Sequence, residues 1–218
     1  MASFAKVVAL VAALAFVTGV SAQTHLEVGD AGQLPATAQA TDSGSGSLAS
    51  IVGATSGADL VDMYQINIRD FQNFQAGTGA AGGSATFDTQ LWLFDSAGNG
   101  VLANDDCALG CGLQSHIQGP TPIPAEAGGL TANGNYYIAV SGFNNDPTSA
   151  GGAIFTQTAF TDLSGPDGPG GGSPIAGWGG GGAFGSYTIG LVGANFVPEP
   201  ATLGLVALGG LAVLRRRR

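Results

Sequence analysis

The chain has 218 residues, among them 38 glycines and 10 prolines, and a formal net charge of −9. Lys6 lies near the start and four arginines close the chain, so Arg69 alone faces fourteen acids between Gln23 and Val197, a net charge of about −13 for that stretch. Such a segment excludes nucleic acid and anionic lipid as partners, because both need basic side chains against their phosphates, and it favours cations.

The first element is a secretory signal peptide over residues 1–22. Lys6 charges its start, Val7 to Val20 is apolar apart from Thr18 and Gly19, and Val20-Ser21-Ala22 places small residues before Gln23. The mature chain is expected to begin near Gln23. From there to residue 196 the composition suits one domain, since aromatic and β-branched residues recur in short runs able to build a core.

That body predicts an all-β fold, because short apolar runs alternate with glycine-rich turns and no helical periodicity is sustained. Leu48 and Ile51-Val52 suggest a first strand. Tyr64, Ile66 and Ile68 alternate with Gln65, Asn67 and Arg69, the pattern of a half-buried strand. Leu91-Trp92-Leu93-Phe94 is apolar on both faces and predicts a strand between two layers. The turn formers Asp95 to Gly100 then lead into Val101-Leu102-Ala103, which predicts a hairpin. Tyr136 to Val140 and Tyr187 to Val192 supply two more core strands. Between them the glycine-rich stretch from Ser164 to Gly185 reads as a long loop draped over the sandwich and anchored by Trp178 and Phe184.

Cys107 and Cys111 are the only cysteines. In an exported protein a pair so spaced points to a disulfide ahead of free thiols or a metal site, and zinc would need two more soft ligands, for which His25 and His116 are the only histidines available. Asn104-Asp105-Asp106 lacks EF-hand spacing and reads as a turn-capping cluster. Gly77-x-Gly79-x-x-Gly82 and Gly177-x-Gly179-x-x-Gly182 match the dinucleotide pattern, but neither is placed between a strand and a helix, so no phosphate cradle is expected.

Several motifs follow one another in order: Glu27-x-x-Asp30-Ala31-Gly32, Asp59-x-x-Asp62-x-Tyr64, Phe87-Asp88-Thr89 through Asp95-x-x-Gly98, Asn104-Asp105-Asp106, and Gly134-x-Tyr136-Tyr137-x-Ala139-Val140. In this the body resembles the bacterial pre-peptidase C-terminal (PPC) domain and is similar to the collagen-binding modules of bacterial collagenases. The resemblance implies a jelly-roll-like β-sandwich used as an accessory or binding domain. It also implies calcium held by Glu27, Asp30, Asp59 and Asp62, between an acidic N-terminal segment and the loop into an early strand. The same four acids also read as a solvated face. Two features depart from the PPC pattern: no protease domain precedes the module, and the stretch from Ser164 to Gly185 has no counterpart.

Catalysis has little to work with. The body has no lysine, its cysteines are expected to pair, and neither histidine comes with a nucleophile-elbow pattern. A non-enzyme is the expectation, with a small secreted hydrolase using aspartate carboxylates as the alternative.

The chain ends in three parts: Val197-Pro198-Glu199-Pro200, an apolar run from Ala201 to Leu214, and Arg215, Arg216, Arg217 and Arg218. Each proline fixes φ and lacks an N–H, so the triplet separates the body from a membrane helix, and the arginines hold that helix's cytoplasmic end. This tail resembles the PEP-CTERM sorting signal of bacterial envelope proteins, which implies recognition and processing by an exosortase. The expected protein is exported, transiently anchored by its C-terminal helix, and destined for the cell surface or extracellular matrix, with exopolysaccharide or matrix proteins as partners. A two-pass membrane protein that keeps its N-terminus is the third reading.

Overall fold

The computed structural model describes residues 23–119, 129–157 and 159–198. The signal peptide, Glu199, Pro200, the apolar run and Arg215 to Arg218 lie outside the described residues. Within them the protein is all β: β1 (Gln23–Leu26), β2 (Gln39–Ala40), β3 (Leu48–Ala54), β4 (Val61–Ile68), β5 (Gln75–Gly77), β6 (Ser84–Ala85), β7 (Thr89–Asp95), β8 (Gly100–Asn104), β9 (His116–Gln118), β10 (Gly134–Gly142), β11 (Asn145–Ser149), β12 (Gly152–Ala153), β13 (Ile175–Gly180), β14 (Ser186–Val192) and β15 (Ala194–Asn195).

Two six-stranded sheets form a sandwich. One runs β1-β3-β14-β5-β9 with β6 also on β14, and the other runs β15-β4-β10-β7-β8 with β2 also on β4. Leu48, Ile51, Ile189 and Leu191 from the first sheet meet Tyr64, Ile66, Leu91, Leu93, Ile138 and Val140 from the second in one core. The alternation in the sequence is thus realised as inward-facing rows, as the pleat requires.

The second sheet is buried on its outer face as well. Val61, Met63, Trp92, Phe94 and Ala139 pack there against Ile154, Phe155 and Ile175, with Trp178 partly buried beside them. This corrects the half-buried reading of β4: seven of its eight residues are buried and only Gln65 is intermediate. The covering layer is a third sheet, β12-β11-β13. The glycine-rich stretch is therefore not simply a loop, since it contributes β13. Of its two expected anchors, Trp178 packs on Trp92 and Phe94 with ring centroids 6.1 and 6.5 Å away and donates its indole N–H to the Gln33 carbonyl at 2.7 Å. Phe184 is 55% exposed and lies outside both hydrophobic cores.

The β7–β8 hairpin forms as its turn residues predict. Asp95 accepts hydrogen bonds from the backbone N–H groups of Ala97 and Asn99, and Gly98 takes φ 85°, a conformation that favours glycine. Gly100 serves the outer layer instead, because a Cβ there would lie 2.7 Å from Ile154 and 2.9 Å from Phe155. The first dinucleotide-like glycine pattern does begin on a strand, β5, but no helix follows it, and the second begins inside β13.

Candidate acidic cation site

Three of the four acids expected to hold calcium converge. Asp59 lies in the turn before β4, Asp62 is the second residue of β4, and Asp30 belongs to the segment that crosses beside them. One carboxylate oxygen from each lies within 4.8 Å of those of the other two. Asp30 is held by an Asx turn, its Oδ1 accepting the Gly32 N–H at 2.7 Å, and Gly32 in turn accepts the Met63 N–H at 2.9 Å. Glu27 stands outside this trio. Its Oε2 accepts the Ala54 N–H at 3.0 Å, yet it is near enough for its charge to act on Asp62.

Asp62 is fully buried, which is costly for a charge without a partner. Its Oδ2 accepts from the Tyr187 hydroxyl at 2.6 Å, and the Tyr187 and Tyr64 hydroxyls lie 2.6 Å apart. Its Oδ1 has no partner, and neither does Oδ1 of Asp59. Burial pushes the Asp62 carboxyl up to about 8, with the charges of Glu27 and Asp59 adding to the rise and the Tyr187 hydrogen bond opposing it. Asp59 is raised by burial and by Asp30. Buried orphan oxygens on an all-carboxylate set fit a hard cation that takes oxygen ligands.

The Asn104-Asp105-Asp106 run does only part of what the sequence suggests. Asn104 caps as expected, donating to the carbonyls of Asp106 and Asp162 and accepting the His116 N–H at 2.8 Å. Asp105 caps nothing, for both its carboxylate oxygens are buried without a partner. Beyond it Cys107 and Cys111 are joined in a disulfide, with Cα atoms 5.4 Å apart. The start of β7 is clasped from that side by Thr89, Thr78 and Ser115, whose hydroxyls hydrogen-bond to one another and whose Ser115 Oγ also donates to the Thr89 carbonyl at 2.6 Å.

The body leaves the sandwich abruptly at its C-terminal end. β15 ends at Asn195, Phe196 is buried in the main core, and Pro198 is exposed two residues later. The Phe196 N–H donates to the Gly46 carbonyl and the Val197 N–H to the Thr41 carbonyl.

Fold and site together define a strongly acidic β-sandwich with a third covering layer and carboxylates gathered in its loops. At the point where the chain emerges from that sandwich, the family model of the PEP-CTERM protein-sorting motif matches residues 196–218. The motif marks an exported, envelope-associated protein that meets an exosortase during sorting. No curated protein and no solved structure matches the chain.

Proposed function

We propose that this protein is a non-enzymatic binding or structural component of the bacterial cell surface or extracellular matrix, released from its anchor by an exosortase. One observation carries the reading: the sorting motif begins at residue 196, directly after β15, with no linker between the folded body and the signal. The sandwich itself is the cargo. The step from buried Phe196 to exposed Pro198 presents the cleavage region to a membrane enzyme while the core holds the residue before it. A non-enzymatic role is supported by the burial of Asp62 and Asp105, 0% and 1% exposed, which leaves neither carboxylate open to a bulky substrate.

In this reading Asp30, Asp59 and Asp62 hold a calcium ion, and Glu27 lends charge from beside them. The ion supplies positive charge where the chain has none, and its ligands tie the N-terminal segment to the entrance of β4.

The test compares the intact chain with a deletion of Arg215 to Arg218 in exporting cells, by fractionation and mass spectrometry of both termini. The intact chain is expected to begin near Gln23 and to end near Pro198-Glu199-Pro200, whereas the deletion is mis-sorted and uncut. An unchanged distribution, with an intact C-terminus in the mature protein, overturns the proposal.

A further inference from the structure

A second set of carboxylates gathers at the open end of the β7–β8 hairpin. Asp88 precedes β7 and Asp105 and Asp106 follow β8, and the antiparallel register, with Leu91 opposite Asn104, brings those strand ends side by side. One carboxylate oxygen from each of the three lies within 4.8 Å of those of the others. Asp146 in β11 is close enough for its charge to act on Asp105.

Asp105 distinguishes this cluster from a solvated acidic surface. It is 1% exposed, and both its oxygens lack a hydrogen-bond partner. Oδ1 of Asp88 and Oδ1 of Asp146 are also buried without partners, as is Oε1 of Gln90. No side-chain cation of the body reaches them: Arg69, its only Lys or Arg, follows the last residue of β4, while this cluster lies at the other end of the sheet. A proton on Asp105 neutralises one carboxylate and leaves Asp88 and Asp106 facing each other. A divalent cation answers all three.

We propose that Asp88, Asp105 and Asp106 form a second calcium site, with Asp146 as an outer carboxylate. The donor set is oxygen only, and its acids come from irregular segments able to supply the six to eight ligands of calcium more readily than the tight octahedron of magnesium. Bound there, the ion ties the start of β7 to the disulfide loop. Through Asp106, whose N–H donates to the Phe160 carbonyl, it also holds the segment that follows β12. This site is independent of the Asp59–Asp62 site.

The experiment is calcium titration calorimetry on the full chain in detergent after chelation, on wild type and the isosteric variants Asp105→Asn, Asp106→Asn and Asp62→Asn. Asp105→Asn and Asp106→Asn are each expected to abolish one calcium per chain or to weaken it at least about tenfold, while Asp62→Asn leaves that calcium in place. Magnesium is expected to bind more weakly in its place. Circular dichroism checks the fold, which Asp105→Asn is expected to keep in chelator because it removes an unpaired charge. Should that variant not fold, the more exposed Asp106→Asn decides. A calcium count and affinity equal to wild type in a folded Asp105→Asn or in Asp106→Asn overturns the proposal, and so does wild type that takes up no calcium at millimolar concentration. Loss confined to Asp62→Asn also overturns it, and points to the first site alone.

Discussion

Asp62 concentrates the physics of the first site in one side chain. Its carboxyl is raised to about 8, so in chelator the folded state holds a proton that the unfolded chain, near 3.8, gives up earlier. The stability this proton contributes is complete below about 3.8 and is lost as the pH rises through about 8. Asp59, Asp88, Asp105 and Asp146 are raised in the same direction. His116 is lowered by burial and works the other way, but only below its ordinary 6.5. Between pH 6.5 and 8 Asp62 and Asp105, pushed up to about 8 and about 7, therefore act without opposition from His116, and the melting temperature in chelator is expected to fall across that window. Asp62→Asn, which keeps an acceptor for Tyr187, should raise it at pH 8 by roughly 2–4 °C, about 1 kcal/mol for a chain of this size. Calcium at about a hundred times Kd should add roughly 2.7 kcal/mol, or about 5–10 °C, for each site it fills, with magnesium doing less. Thermal melts in chelator, calcium and magnesium check all of this. A calcium shift equal in wild type, Asp59→Ala and Asp62→Ala would show that these acids hold no calcium.

At the scale of elements, the third sheet decides how the second one is stabilised. Trp92 and Phe94 point away from the sandwich core and are sealed by Phe155, 5.4 and 6.3 Å away between centroids, and by Trp178. Trp178→Ala removes a ring from that cluster together with the hydrogen bond to Gln33, and should cost about 2–3 kcal/mol, less than the 3–5 of a fully buried tryptophan. The melting temperature should drop by roughly 5–10 °C. Phe184→Ala lies in the same glycine-rich stretch but is exposed, so its effect should stay within about 0.5 kcal/mol. Equal losses in the two variants would show that the stretch acts as a loop and not as a layer. The Cys107–Cys111 bridge closes a short loop, so its loss should cost only about 2 kcal/mol. Thiol labelling of the denatured, unreduced exported protein is expected to find no free cysteine, and two free thiols would refute the bridge.

Over the whole molecule, charge is distributed by the direction of the strands. Val140 pairs with Asp62 and Gly142 with Thr89, so both acidic clusters sit at one end of the second sheet. Arg69 lies about 23 Å away at the other end of β4, taking 3.3 Å per strand residue. There it lines a hollow with Asn195, Phe196, Val197 and Pro198, where the chain leaves for the sorting motif. Gln23 comes to the same region, since its N–H donates to the Ser47 carbonyl while Phe196 donates to Gly46. Both ends of the body are thus clasped by one loop, and the acidic end projects away from it. The arrangement suits a cargo held close to its exporting membrane with its acidic clusters facing outward.

The sequence by itself determined the all-β class, the β7–β8 hairpin, the core strands β3, β10 and β14 and the sorting tail, because each rests on local information: a period of two, a run of turn formers, or three contiguous signals. The grouping of Glu27, Asp30, Asp59 and Asp62 came from the resemblance to the PPC domain and not from local pattern, and the structure brings only the last three together. Only the tertiary structure decided the rest. Glycine carries no hydrophobic pattern, so the strand within the glycine-rich stretch and the second layer over β4 were invisible until Trp178, Phe155 and Ile175 met Trp92 and Phe94. Asp88 and Asp106 are eighteen residues apart in the sequence. The hairpin that joins them was legible, and counting back from its turn sets them at one open end. The burial of Asp105 was not legible, because it depends on which segments from β10–β11 and after β12 close over it, and that is fixed by long-range packing alone.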